Sequence, residues 1–193
     1  MIHVPKAAGT SMAGLLFGRS LGHFTLSEYH LYLGPTRRFS PPLFAVIREP
    51  EDRFLSAYRF FRQGRTRDAG VQLSHQRADL WKQDVELFLE EYVEATPDRA
   101  RDYIFQTQDR FVTLSPVDTP ELTLFRLDAL ETLQDWLSER LHQPVVFPYK
   151  NRSDLTHSVA LSPSQRQRIR KIYCSDFALY DKLQAHPHYA QGD

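Results

Sequence analysis

The chain has a single cysteine, Cys174, so it can form no internal disulfide and no cysteine-based zinc cluster. Its histidines and carboxylates show no plausible metal-ligand spacing, and no metal is expected. Long apolar runs are also missing: nothing approaches the roughly 20 residues of a bilayer span. No charged-then-apolar stretch opens the chain as a secretory signal would. These absences predict a soluble cytoplasmic protein, bacterial in character, without stable membrane insertion. The opening residues lie almost inside the first apolar run, which suggests a trimmed or unusually short N-terminus. There is no repeat, low-complexity tract or long linker. Net charge is zero, which argues against a generic nucleic-acid coat. What is present supports a packed core: 41% hydrophobic and 12% aromatic residues in 193, a length that fits one domain over 1–193.

Neutrality conceals an uneven distribution. Residues 1–67 carry 10 Lys/Arg and 4 Asp/Glu, residues 68–139 carry 6 and 16, and residues 140–193 carry 8 and 4. A basic beginning and end flank an acidic middle. Either helix faces of differing sign are simply solvated, or the two basic segments converge on an anionic ligand.

Hydrophobic periodicity gives the elements. Met1–Val4 reads as the end of a buried strand, and His23–Leu26 as a short second one. Leu43–Ile47, bounded by Pro42 and Pro50, is the strongest buried strand, and Leu122–Leu127 is another. Helices are predicted after Ser11, over Glu51 to about Arg62, over Asp79–Glu94, over Asp128–Leu141, from Ser162-Pro163 to about Tyr173, and through Phe177–Leu183. Trp81 and Trp136 fall at core positions. Arg62–His75 and Val145–His157 read as loops, and Arg166, Arg168, Arg170 and Lys171 as one solvated helix face. The alternation of strands and helices predicts an α/β layer fold with a short, mostly parallel central sheet flanked by helices.

Two strand ends carry chemistry. After Val4 comes Pro5-Lys6-Ala7-Ala8-Gly9-Thr10-Ser11, a loop of small residues leading into a helix. Small side chains let backbone N–H groups approach an anion, and a helix N-terminus adds partial positive charge. Lys6 precedes the glycine, so this is not the nucleotide-triphosphatase loop, in which lysine follows it. A kinase or triphosphatase reading also lacks a clear acidic partner for Mg²⁺. After Ile47 comes Arg48-Glu49-Pro50-Glu51-Asp52-Arg53-Phe54-Leu55-Ser56. Arg48 stands at the carboxyl end of a strand, where open α/β sheets bind ligands. A guanidinium with the Ser56 hydroxyl suits a phosphate monoester. Local ion pairing of Arg48 and Arg53 with Glu49, Glu51 or Asp52 is the competing reading.

His3-Val4-Pro5-Lys6-Ala7-Ala8-Gly9-Thr10-Ser11 resembles the 5′-phosphosulfate loop of carbohydrate-type sulfotransferases, h-x-P-K-[TA]-[AG]-[GS]-T-[ST]. Val46-Ile47-Arg48-Glu49-Pro50-x-x-Arg53-Phe54-x-Ser56-x-Tyr58 resembles their 3′-phosphate motif, V-[IV]-R-[DE]-P-x-x-R-x-x-S-x-Y. The nearest likeness is to heparan sulfate 2-O-sulfotransferase and related Golgi enzymes. Weaker echoes lie in Asn151-x-Ser153 and in Ile172-Tyr173-x-x-Asp176-Phe177.

The resemblance implies a P-loop-like three-layer fold and the donor 3′-phosphoadenosine-5′-phosphosulfate (PAPS), with 3′-phosphoadenosine-5′-phosphate (PAP) as product. It further implies that Lys6 neutralises the bridging oxygen, and that Ala7, Ala8 and Gly9, with Thr10 and Ser11, cradle the 5′-phosphate. Arg48 and Ser56 would hold the 3′-phosphate, and Lys150 and Arg152 would belong to a loop over the nucleotide. The acceptor would be a glycan or another hydroxylated molecule. Arg53 and Gln106, with Gln108, are candidates for its side of the site, and Arg37, Arg38, Arg62, Arg65 and Arg67 for a basic rim. The base is His30 or Glu28. On an extended segment the two would face the same side, and histidine as a residue type suits proton abstraction near neutral pH. A non-catalytic nucleotide- or glycan-binding module is the alternative function.

Overall fold

Leu43–Ile47 is apolar throughout because both of its faces are covered. Ala45 and Ile47 join Ile2, Val4, Leu122 and Leu124 in one core cluster, and Phe44 and Val46 join Phe125, Met12, Leu133 and Leu137 in another. The computed structural model describes residues 1–33, 43–62, 84–113, 122–147 and 159–185, with the backbone of 188–191. In chain order the elements are α1 (Gly9–Phe17), α2 (Leu26–Leu33), β1 (Leu43–Ile47), α3 (Pro50–Arg62), α4 (Val85–Phe88), α5 (Asp109–Val112), β2 (Leu122–Arg126), α6 (Leu130–Leu141), α7 (Pro163–Ile172), α8 (Cys174–Ala185) and β3 (His188–Gln191).

β1 and β2 pair in parallel, with Leu43 opposite Leu122 and Ile47 opposite Arg126. β3 closes the sheet antiparallel to β2. The mostly parallel expectation is met by β1 with β2 and by the parallel bridge of Ile2 to Ala45, while β3 is antiparallel. Helices α5 and α8 cover one face through Phe111, Val112, Tyr180 and Leu183, while α1 and α6 cover the other through Met12, Leu133 and Leu137. Trp136 packs edge-on against Phe44 and Phe125. A third core, rich in aromatic rings, joins α3, α4, Ile104, Phe105 and α7. Among the described residues, no helix is long and apolar enough to cross a membrane.

Several expected elements take a different form. Met1–Val4 contributes only a bridge, with Ile2 N–H donating to the Phe44 carbonyl at 2.8 Å, because Pro5 turns the chain at once. His23–Leu26 is no strand: Leu26 opens α2. Thr25-x-x-Glu28 forms a capping box, in which Thr25 N–H and hydroxyl both donate to Glu28 Oε2 (2.7 and 2.9 Å) and Glu28 N–H donates to Thr25 Oγ1 (3.1 Å). The helix expected over Asp79–Glu94 starts only at Val85, where the Asp84 carboxylate caps Leu87 N–H, and it loosens into a wider turn over Leu89–Glu94. α6 begins at Leu130, after a tight turn over Leu127–Ala129. On α7, opened by the Ser162–Gln165 capping box, the three arginines are engaged rather than merely solvated. Arg168 bonds Glu94 at 2.7 Å through two nitrogens and also pairs with Glu86, Arg166 pairs with Glu51, and Arg170 lies over Phe177. Trp81, Arg37, Arg38, Arg65, Arg67, Lys150, Asn151, Arg152 and Ser153 lie outside the described residues.

Candidate active site

The loop from Pro5 to Ala8 carries two left-handed residues, Lys6 at φ 65° and Ala8 at φ 61°. Each costs roughly 1–2 kcal/mol in a side chain with a Cβ, so the surroundings must hold them there. Arg53 Nε donates to the Pro5 carbonyl at 3.0 Å, and Arg48 Nη1 reaches the Lys6 carbonyl at 3.4 Å. The two sequence motifs thus meet: arginines of the second grip the backbone of the first. Ala7 is buried against the core that also contains Leu26 of α2.

α1 begins at Gly9 with Ala8 as its cap, which offers no side-chain bond, and its first turn holds no acidic residue. The helix thus starts earlier than expected, and Thr10 and Ser11 occupy its second and third positions with exposed side chains. The first N–H groups of a helix have no intrahelical partner, and with its dipole an uncapped start is suited to an anion. Gly9 is forced by its neighbour, since a Cβ there would lie 2.0 Å from His3 Cδ2. His3 is 2% exposed. Its Nδ1 bonds the Leu21 carbonyl at 2.9 Å, and because a carbonyl only accepts, Nδ1 carries the proton. His23 Nδ1 likewise donates to the His3 carbonyl at 3.0 Å, and its ring stacks on Tyr103 and lies tilted against His3. Burial, with His3, Lys6 and Arg53 nearby, pushes the His23 imidazole down to about 4, and burial lowers His3 as well.

Lys6 Nζ sits 3.9 Å from the centre of the Phe60 ring on α3. Ser56 is one turn before Phe60, so its hydroxyl lies on the face of α3 that Lys6 crosses. Arg48 is half-buried. Burial pushes its guanidinium down from its usual value while Asp52 and Glu49 hold it up, and an arginine stays charged throughout. An open cleft of about 290 Å³ adjoins it at the carboxyl ends of β1 and β2, lined by Arg48, Glu49, Asp52, Leu127, Asp128 and Tyr180.

The candidates for the acceptor side fare differently. Arg53 is 1% exposed and is committed to the carbonyls of Pro5, Ile104 (3.3 Å) and Gln106 (2.7 Å). It has no surface with which to touch a substrate, and the expected contact is corrected to an internal one. Gln106 gives its carbonyl to Arg53 and its Nε2 to the Arg101 carbonyl at 2.8 Å, so it belongs to the same internal network. Gln108 is fully buried and faces Arg48, not solvent. Helical geometry separates Glu28 from His30 by about 200° around α2, so the two do not share a side. Glu28 folds back on Thr25. His30 follows Leu26, a member of the core cluster, by one turn of α2.

Three residues behind the site were given little or no role by the sequence. Asp176 is 0% exposed and accepts Gln108 N–H and Asp109 N–H, both at 2.9 Å, while Arg53 Nη1 stands 3.9 Å away. Burial outweighs these partners and pushes its carboxyl up to about 6. Tyr173 donates its hydroxyl to the Phe105 carbonyl at 2.9 Å. His3 supplies the wall behind Gly9. The signal for Tyr173 and Asp176 was their placement in the C-terminal motif echo; a histidine at the hydrophobic first position of the loop pattern was the signal for His3.

The tied loop, the start of α1 without a side-chain cap and the flanking Arg48 lie together at one end of an α/β sheet. The chain belongs to the sulfotransferase family, whose sequence profile matches residues 1–182. Comparison with curated proteins and with solved structures returned no match. Sulfuryl transfer is the family's reaction, and membership does not favour a non-catalytic module.

Proposed function

We propose that this protein moves the sulfuryl group of PAPS to a hydroxyl of a glycan or another hydroxylated acceptor, on a P-loop-like frame related to the heparan sulfate 2-O-sulfotransferase group. The observation that carries this reading is the uncapped start of α1, with its loop tied through the Lys6 carbonyl to Arg48. The N–H groups of Ala8 and Gly9, with the Thr10 and Ser11 hydroxyls, hold the 5′-phosphate; Ala7, expected among them, gives its N–H to the Val4 carbonyl at 3.4 Å instead. Arg48 and Ser56 take the 3′-phosphate, and Lys150 and Arg152 belong to the covering loop. The acceptor oxygen attacks sulfur in line as its proton passes to His30. The bond from sulfur to the 5′-phosphate oxygen breaks, PAP leaves, and Lys6 neutralises the charge left on that oxygen. Positioning and electrostatics supply the acceleration.

Calorimetric titration with PAP and with adenosine 5′-monophosphate (AMP) tests the donor. PAP is expected to bind the wild-type protein more tightly, and Arg48→Ala to weaken PAP by roughly 10- to 100-fold, the worth of a charge-assisted hydrogen bond, and AMP by much less, through the lost tie to the Lys6 carbonyl alone. Equal binding of PAP and AMP to the wild type overturns the assignment. For the base, His30→Ala is expected to lower kcat by roughly 100-fold or more with PAP affinity retained. Glu28→Gln is expected to keep most activity, since glutamine also closes a capping box. The reverse pattern of kcat losses would move the role to Glu28.

A further inference from the structure

Arg48 lies one residue beyond the last paired position of β1, which is Ile47 opposite Arg126. Its backbone N–H and carbonyl are nonetheless both bonded, and by a single side chain. Gln108 Oε1 accepts from Arg48 N–H at 2.9 Å, and Gln108 Nε2 donates to the Arg48 carbonyl at 2.8 Å. A primary amide carries donor and acceptor in one plane, as a peptide group does, so Gln108 acts as one further rung on the strand. The rung is itself fixed. Gln108 is 0% exposed, and its N–H and that of Asp109 are clamped by the two oxygens of buried Asp176. The link runs from α8 through the start of α5 to the carboxyl end of β1.

A guanidinium reads a phosphate well only from a matched position, and a misplacement of about 1 Å is costly. We infer that Gln108 is the positioning residue that sets Arg48 for the 3′-phosphate, and so governs the choice between 5′-nucleotides with and without a 3′-phosphate. This rests on the role proposed above for Arg48. Gln108 touches no ligand in this scheme; it acts only through the Arg48 backbone.

The test is the ratio of PAP to AMP affinity in Gln108→Met and Gln108→Glu, with thermal melts to verify folding. At pH 8 both variants are expected to lose the preference for PAP by roughly tenfold or more, with AMP affinity nearly unchanged. The carboxyl introduced by Gln108→Glu is buried and therefore protonates readily on acidification. Once protonated it again offers an O–H donor beside a carbonyl acceptor, as the amide did. Near pH 5.5 the Asp176 carboxyl that clamps Gln108 N–H, pushed up to about 6, also protonates in every variant, so the reference is the wild type at the same pH: Gln108→Glu should regain preference relative to it, and Gln108→Met should not. A merely structural role would weaken PAP and AMP alike. That outcome, or an unchanged preference in Gln108→Met, overturns the inference. A wild-type protein without preference for PAP instead removes the donor reading beneath it.

Discussion

Gly9→Ala is expected to raise the Kd for PAP by about 100-fold or more, although alanine is the better helix former and Gly9 is the first residue of α1. The added Cβ would sit 2.0 Å from His3 Cδ2 and 2.5 Å from Nε2. The ring cannot easily turn away: it is bonded to the Leu21 carbonyl, and the His23 ring lies with its centre 4.0 Å distant. The start of α1 must move instead, and with it the N–H groups proposed to hold the 5′-phosphate. Losing two charge-assisted hydrogen bonds of about 1.5 kcal/mol or more each accounts for the magnitude. Gly14→Ala supplies the control on the same helix. Its Cβ would meet nothing within 4 Å, and the substitution is expected to stabilise the protein by about 0.5–1 kcal/mol without changing affinity. Adding His3→Ala to Gly9→Ala opens space and should recover part of the binding. Titration of the three variants with PAP decides the matter; affinity for Gly9→Ala within a few-fold of wild type would refute the argument.

Local pattern carried much of the fold. An all-apolar Leu43–Ile47 between prolines could only be a strand covered on both faces, and Ser162-Pro163 with Gln165 marked the start of α7. Where the reading failed, a short-range device outweighed composition. His23–Leu26 is aromatic and β-branched enough to pass for a strand, yet Thr25-x-x-Glu28 is a capping box, and it fixes a helix. That single difference separates Glu28 from His30, which an extended segment would have placed together. At the site, the groups proposed to face the anion could be picked out because their spacing is local: Lys6 to Ser11 in one loop, Arg48 and Ser56 on one strand end and its helix. The supports were not. Gln108 meets Arg48 across 60 positions and Asp176 meets Gln108 across 68, and nothing in periodicity connects such distant polar residues. Arg53 shows the same limit. Its place in an exposed-looking charged stretch gives no hint that the chain folds back over it on three sides.

Arg53→Met is expected to destabilise the protein by about 3–5 kcal/mol, the usual cost of removing one partner from a buried charged pair. For a chain of this length that corresponds to a fall in Tm on the order of 10 °C. Methionine fills similar space, so the loss comes from polarity rather than from a cavity. Three carbonyls, those of Pro5, Ile104 and Gln106, lose their donor, and the buried Asp176 carboxylate loses its only nearby cation among the described residues. Arg53→Lys is not expected to rescue, because one ammonium cannot reproduce a planar fork that reaches carbonyls in separate directions. The effect should also extend to binding, since the Pro5 carbonyl precedes the strained Lys6 and its release lets the loop relax. A second substitution isolates the charge. Asp176→Asn alone forfeits one of two backbone bonds, because an amide has one accepting oxygen where the carboxylate has two. Combined with Arg53→Met it removes the uncompensated charge, so the double variant should be less destabilised than the two single losses together. Thermal and denaturant melts of the three variants measure that coupling. Strict additivity would mean that the Arg53 effect resides in the carbonyls alone and that Asp176 serves only the start of α5.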